Sequence, residues 1–163
     1  MNQVIEHLPE PDLALEMLRE RLTPNGRLVL VFPNTSSLWR RLSGSRWINW
    51  HIPYHLHHFD RKSFEQMARH CGFEVVRART ITPNVWTLLQ LRASCYTPEL
   101  GQPSPIWTVR KPSDAATSNI SKGDLLRTLL RFSVLSIFAI VNRVVDALSM
   151  GDSFLVELRR SGQ

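Results

Sequence analysis

The sequence predicts an α/β fold whose helices cross between strands, and three observations carry that prediction. Residues Leu28 to Phe32 form an unbroken apolar run between a Gly turn and a proline, the mark of a parallel strand covered on both faces. Two segments with helical spacing flank it, and a further strand-like run, "FEVVRART", follows the second of them. The resulting order of strand, helix, strand, loop, helix, strand is that of crossover-connected units. With 163 residues, 43% of them hydrophobic, the chain is long enough to bury one core.

The elements follow in order. The opening "MNQVIEHLPEP" has a short apolar piece, Val4 and Ile5, before polar residues and two prolines, and reads as the tail of a strand entering a loop. From Asp12 to Leu22 the spacing predicts a helix: Leu15, Leu18 and Leu22 share a face, Glu16, Arg19 and Glu20 fall on the wet side, and Asp12 is placed to cap. "TPNG" stops it, and Leu28 to Phe32 follows as the central strand. Residues Thr35 to Phe59, rich in Ser, Trp and His, form a long irregular loop, which inside a compact domain is usually functional. Asp60 then caps "RKSFEQMARHC", with Phe64, Met67 and Ala68 on one face and Gly72 at its end, before the strand "FEVVRART". Residues 1–81 thus form a core unit.

From Thr82 to Gly123, Pro83, Pro98, Pro103, Pro105 and Pro112 mark residues 82–123 as a Pro-rich insertion of short pieces, partly mobile. Residues 124–150 read as an apolar helix or helix pair, a cap beginning at Asp124. Its longest charge-free run, Phe132 to Asn142, falls short of the roughly 20 residues of a bilayer span. Residues 151–163 close the chain as a strand after a Gly-Asp turn.

The net charge of +6 favours acidic partners, although without a dense basic block it reads first as a solvated basic surface. "MNQVIEHLPEPD" carries polar and acidic groups where a secretory signal needs a basic start and an apolar run, so a cytoplasmic location is expected, with membrane association as the alternative. Cys71 and Cys95 lie far apart outside any Cys-x-x-Cys pair and read as reduced thiols.

"VIEHLPEPDLALEMLRERLTPNGRLVLVFPN" and "HIPYHLHHFDRKSFEQMARHCGFEVVRART" together resemble the C-terminal half of class I S-adenosylmethionine-dependent methyltransferases. The ordered motifs are E-H-L-x-D/E-P, L-x-P-G-G-x-L, P-x-H-L-x-x-F and G-F-E-V. Asn25 stands where the family often has Gly, and Asn tolerates a left-handed conformation. The resemblance covers Val4 to Thr80 well and "GDSFLVELRR" moderately. It implies a partial Rossmann-like methyltransferase fold, an αβα sandwich holding strands four to seven, with an inserted apolar helical cap. The family's Gly-rich cofactor loop and its ribose-binding acidic residue would fall upstream of Met1, so one wall of the cleft at the strand ends is expected here. S-adenosylmethionine is the implied cosubstrate. Asn2 and Gln3, ending the fourth strand, and His7 just after it, would face its methionine or adenine part; a second reading has His7 capping the loop backbone. The first residues would then lie extended beside Leu28 to Phe32.

Four of the six histidines fall in "WHIPYHLHHF". A zinc centre built from His51, His55, His57 and His58 is not expected: Pro53 disfavours the helix that would align His51 with His55, and an extended segment aligning His55 with His57 turns His58 away. The family pattern instead leaves His55 at the pocket mouth, with Leu56 and Phe59 anchoring the loop. His55 is the candidate base for removing a proton from an oxygen acceptor, or a residue that fixes the loop by hydrogen bonds. Trp47, Trp50, His51 and Tyr54 are the candidate acceptor-binding residues. Among Trp39, Arg40, Arg41, Arg46, Trp47 and Trp50, a roof over the acceptor is read before a lipid headgroup contact, and that before nucleic acid, which is an unlikely partner.

The expected function is transfer of a methyl group from S-adenosylmethionine to a small or lipid-linked acceptor, the chain being inactive alone. A complementing N-terminal segment, or a homodimer through the exposed strand edge, is the expected partner. The alternative is a non-catalytic remnant or interaction module with peripheral membrane contact.

Overall fold

The computed structural model describes residues 1–95 and 122–162. Three strands form one sheet, β1 (Leu28–Pro33), β2 (Phe73–Ile81) and β3 (Ser153–Arg160), in the order β1-β3-β2 with β3 antiparallel to both neighbours. The last strand therefore enters between two earlier ones. Its buried Phe154, Val156 and Leu158 pair across from Phe32, Leu30 and Leu28, so one face of the sheet is continuously apolar. A one-residue slip would turn that whole set outward, which fixes the register.

Met1 to Gln3 run parallel along the opposite edge of β1. The Val31 amide donates to the Met1 carbonyl at 3.0 Å, the Gln3 amide donates to the Val31 carbonyl at 2.8 Å, and Asn2 bridges Val31. The strand tail expected at Val4 and Ile5 thus lies slightly earlier. Ile5–His7 is instead a 3-10 turn that drops Ile5, 1% exposed, into the core.

Helices α1 (Pro11–Arg21) and α3 (Arg61–His70) supply Leu15, Phe64 and Ala68 to the apolar sheet face, where Phe32 packs tilted or edge-on against Phe64, Phe59 and Phe154 at ring separations of 4.3, 5.5 and 5.7 Å. The predicted caps divide. Asp60 accepts from the Ser63 amide at 2.7 Å while the Ser63 hydroxyl accepts from the Asp60 amide at 3.1 Å, a reciprocal capping box. Asp12 does not cap: α1 starts at Pro11, whose missing N–H and fixed φ suit a first helical position, so Asp12 sits within the first turn. Gly72 is favoured by its φ of +76°, which other residues rarely adopt; a Cβ there would in addition displace the flexible Arg19 side chain. Asn25 needs no left-handed backbone.

Two-sided burial of the Leu28–Phe32 run is found on one face only. Leu30 and Phe32 are fully enclosed, whereas Val29 is 45% exposed and Val31 partly so. An apolar run fixes a strand, but coverage of its second face depends on elements elsewhere. The segment expected as short Pro-broken pieces opens with a regular helix, α4 (Asn84–Cys95), because Pro83 precedes the helix start instead of interrupting it. Pro98, Pro103, Pro105 and Pro112 lie outside the described residues. Between β1 and α3 the long loop contains a short helix, α2 (Leu38–Ser43), and 3-10 turns at Gly44–Arg46 and Ile48–Trp50. The apolar C-terminal segment is one helix, α5 (Lys122–Ala147), and Asp124 lies inside its first turn. No described helix is long and apolar enough to cross a membrane. Cys71 is a buried and Cys95 an exposed free thiol.

Candidate functional site

Both ends of the loop between β1 and α3 are tied at the end of β1. The Thr35 amide donates to the Phe59 carbonyl at 3.0 Å, and Asn34 donates through its side chain to the Gly151 carbonyl at 2.8 Å. Asp152, 2% exposed at the start of β3, then gathers the interior of the loop. Its carboxylate accepts from the Ser37 hydroxyl at 2.9 Å, the Trp47 indole at 2.8 Å and the Asn49 amide group at 2.8 Å. Burial pushes its carboxyl above the usual aspartate range, against the pull of those three donors. From α4, Gln90 accepts from the Ile48 amide at 2.9 Å and donates to the Arg46 carbonyl at 3.0 Å.

Anchored there, the chain turns back at His51, which is left-handed with φ of 36°, a conformation histidine adopts more readily than bulky residues do. The His51 carbonyl accepts from the amides of Tyr54 at 2.8 Å and His55 at 3.1 Å. The amides of Leu56 and His57 then donate to the Glu6 carbonyl at 2.8 and 3.1 Å, strapping the loop across the Ile5–His7 turn.

This strap brings His55 over Glu6 and His7. The His55 and His7 rings meet edge to face at 4.6 Å, and His51 lies 5.0 Å from His55. His55 Nδ1 is 2.7 Å from the Asn49 carbonyl, and His7 Nδ1 is 2.8 Å from the Tyr54 carbonyl. A carbonyl can only accept, so both Nδ1 atoms donate, and in a neutral ring the lone pair is left on Nε2. Burial, outweighing the Asn49 hydrogen bond, lowers the His55 pKa to about 4, so that ring is neutral at pH 7. Beneath them Glu6 is fully buried, with neither carboxylate oxygen hydrogen-bonded, and burial raises its pKa against smaller pulls from its own amide and from His7. One ligand atom each of Glu6, His7 and His55 lies within 4.8 Å of the other two.

The residues predicted for the site separate into three places. His7, His51 and His55 come together, with Tyr54 against His51 at 4.9 Å. Asn2 and Gln3 instead line a cleft of about 520 Å³ with Val29, Val31, Ile81 and Trp86 on the open side of the sheet. Trp47, expected as a roof, is 2% exposed and holds Asp152; Trp50 donates to the Gly44 carbonyl at 2.9 Å and packs on His58 at 5.0 Å. Trp39 donates to Asn142 of α5 at 3.3 Å, so the indoles of this segment are spent largely on internal contacts. His55 is 9% exposed, inside the loop and not at a mouth, and of its two expected anchors Phe59 is buried while Leu56 is 52% exposed. Glu6, Asn49 and Asp152 were not singled out from the sequence; the adjacency of Glu6 to His7 in "EHLP" was the available signal for the first of them.

A family model described as a methyltransferase domain matches residues 1–78. No curated protein matches the chain.

Proposed function

We propose, from the match of residues 1–78 to a methyltransferase-domain model and their resemblance to class I S-adenosylmethionine-dependent methyltransferases, that this chain forms the carboxyl-side part of a partial Rossmann-like sheet and one wall of a methyl-transfer cleft. The observation that carries the reading is the placement of Met1–Gln3 parallel to β1 at the one edge, with the antiparallel β3 set between β1 and β2 at the other. Read as strands four to seven, that arrangement supports the reading alongside the family match, which covers Met1–Gln3, β1 and most of β2 but not β3. S-adenosylmethionine would supply an electrophilic methyl on sulfur. Asn2 and Gln3 would bind it: they offer amide donors and acceptors beside the apolar Val29 and Val31 and the Trp86 ring, and the volume of their cleft falls within the usual range for small-ligand sites.

On the acceptor side, His55 is in the neutral state that a proton acceptor needs, with Nε2 as the available atom. Its depressed pKa makes it a weak base, so alignment of a small or lipid-linked acceptor is the larger part of its contribution, together with His51 and the exposed ring of Tyr54. Ultraviolet irradiation with S-adenosylmethionine tritiated on the methyl tests the reading. Label should map to the peptide containing Met1 to Leu8 and be competed away by S-adenosylhomocysteine; absence of competed label, or label confined to α5, overturns it.

A second reading, peripheral contact with lipid by a non-catalytic module, is favoured by one feature. Val134, Ile137, Val141 and Val144 of α5, and Leu148 just past its end, recur at three- and four-residue spacing, with Ile137 59% and Leu148 65% exposed. Flotation with vesicles containing phosphatidylserine, abolished by Ile137→Glu, would favour that reading.

A further inference from the structure

We propose that Glu6, His7 and His55 form a binding site for one divalent transition-metal cation of the zinc, cobalt or manganese class. The inference stands on these three side chains and is independent of the methyltransferase assignment.

The case begins with an imbalance of donors and acceptors. Glu6 is 0% exposed, yet neither of its carboxylate oxygens makes a hydrogen bond. A buried carboxylate in that condition is strongly disfavoured unless a cation or a proton compensates it. The two imidazoles closing over it do not offer the missing donor in their neutral form. Each commits Nδ1–H to a backbone carbonyl, Asn49 at 2.7 Å and Tyr54 at 2.8 Å, and is left with Nε2 as a lone-pair atom. An imidazole whose second nitrogen donates to a carbonyl is the usual arrangement of a metal-bound histidine, because that bond fixes the tautomer and ring orientation.

The distances are close to those a cation needs. One ring nitrogen of each histidine and one carboxylate oxygen of Glu6 lie within 4.8 Å of one another. Bonds of about 2.0–2.2 Å in tetrahedral geometry place ligand atoms about 3.4 Å apart, so at the widest separation allowed here the side chains draw together by about 1.4 Å on binding. His7, which lies nearer the surface than Glu6 and His55, is the ligand free to make that adjustment. Two imidazoles and one carboxylate suit zinc and its neighbours better than magnesium or calcium, which prefer all-oxygen shells. Three protein ligands leave at least one position for water or an acceptor oxygen. A cation held through Nε2 of His55 would leave no lone pair on that atom for proton removal, so this role and the proton-acceptor role of His55 exclude each other.

Sequence spacing conceals this set because Glu6 and His7 are adjacent on a 3-10 turn while His55 is 48 residues away from His7, delivered by the strap of Leu56 and His57 onto the Glu6 carbonyl. The four histidines of the loop are not the set. His57 Nε2 lies 3.3 Å from the Pro9 carbonyl and His58 Nε2 3.2 Å from the Trp50 carbonyl, and each is occupied there.

The experiment is a calorimetric titration of the chelator-stripped full chain with zinc chloride, repeated with cobalt chloride while following visible d–d absorption. One equivalent should bind with a dissociation constant in the micromolar range or below, and zinc should raise the melting temperature. Glu6→Gln, His7→Ala and His55→Ala should each weaken binding at least tenfold, whereas His57→Ala should leave it unchanged. Glu6→Gln adds a reading that does not depend on folding losses: without metal it should melt no lower than wild type, since it removes an uncompensated buried carboxylate, and with zinc it should lose the wild-type gain. His7→Ala, altering the most accessible ligand, guards against a variant that does not fold. Absence of one-equivalent binding, or binding insensitive to both Glu6→Gln and His7→Ala, overturns the proposal. A Glu6→Gln chain that is markedly less stable without metal also overturns it, by showing that Glu6 already has the partner it needs.

Discussion

Asp152 gathers three donors that would otherwise be buried without acceptors: the hydroxyl of Ser37, the indole of Trp47 and the amide of Asn49. Its effect on the site is indirect but definite, since Asn49 in turn offers the carbonyl that orients His55. Replacing Asp152 by Ala removes the acceptor and leaves the donors, and the penalty for each is roughly 1–3 kcal/mol. Asp152→Ala should therefore destabilise the chain by about 3 kcal/mol or more in urea unfolding, with Trp47 fluorescence shifting to the red. Asp152→Asn retains one acceptor and should lose less. Equal stability of Asp152→Ala and wild type would show that the loop is held by other contacts.

At the scale of elements, the two N-terminal helix ends make a matched comparison. α3 begins with a capping box, so Asp60→Ala should reduce stability by about 1 kcal/mol. α1 begins on Pro11 with no side-chain cap, so Asp12→Ala loses only the charge–dipole contribution of a few tenths to about 1 kcal/mol. The Asp60 contribution also has a defined pH dependence. The Ser63 amide and hydroxyl hold its carboxyl below the ordinary aspartate value, so the native state binds its proton less readily than the unfolded chain. The stabilisation is complete above about pH 4 and disappears as the pH falls through the folded value. Urea midpoints of wild type and Asp60→Ala should converge on acidification; a constant difference down to pH 2 would refute the cap as its source. Asn142 plays a comparable orienting part in α5. Fully buried, it bonds Thr87 at 2.8 Å, Asn84 at 3.0 Å and Trp39 at 3.3 Å, which turns the stripe from Ile137 to Leu148 outward.

For the whole molecule, the sheet is dressed unequally. One face carries α1, α3 and the aromatic core, while the other presents Val29, Val31 and the cleft beside Trp86. An exposed apolar strand face next to a short edge strand favours association. Sedimentation velocity should show concentration-dependent self-association, reduced by Val29→Lys without loss of helical circular dichroism. A single monomeric boundary at all concentrations, in wild type and variant alike, would show that this face remains solvated.

How far the sequence reaches differs along the chain for physical reasons. β1, α1, α3 and β2 were legible because each carries a local signal: an apolar run, a 3.6-residue period, an Asp60–Ser63 cap, a Gly72 that must turn left-handed. α4 is concealed because a proline that breaks a helix and one that stands just ahead of it, as Pro83 does, look alike in sequence. An indole beside arginines has the same letters whether it faces solvent or Asp152, so the sequence does not distinguish a roof from the buried Trp47. The histidines of the loop were recognised as a group, but their grouping was set by which carbonyls captured them.

By itself the sequence determined β1, α1, α3 and β2, their order and the family resemblance, since short-range sterics, capping and hydrophobic period are written in neighbouring residues. Only the tertiary structure decided that β3 enters between β1 and β2, that one face of β1 stays open, and that Glu6 and His7 meet His55. Those meetings depend on chain closure over dozens of residues and on buried hydrogen bonds from Asp152 and Glu6, and no local propensity encodes a distance between segments that far apart.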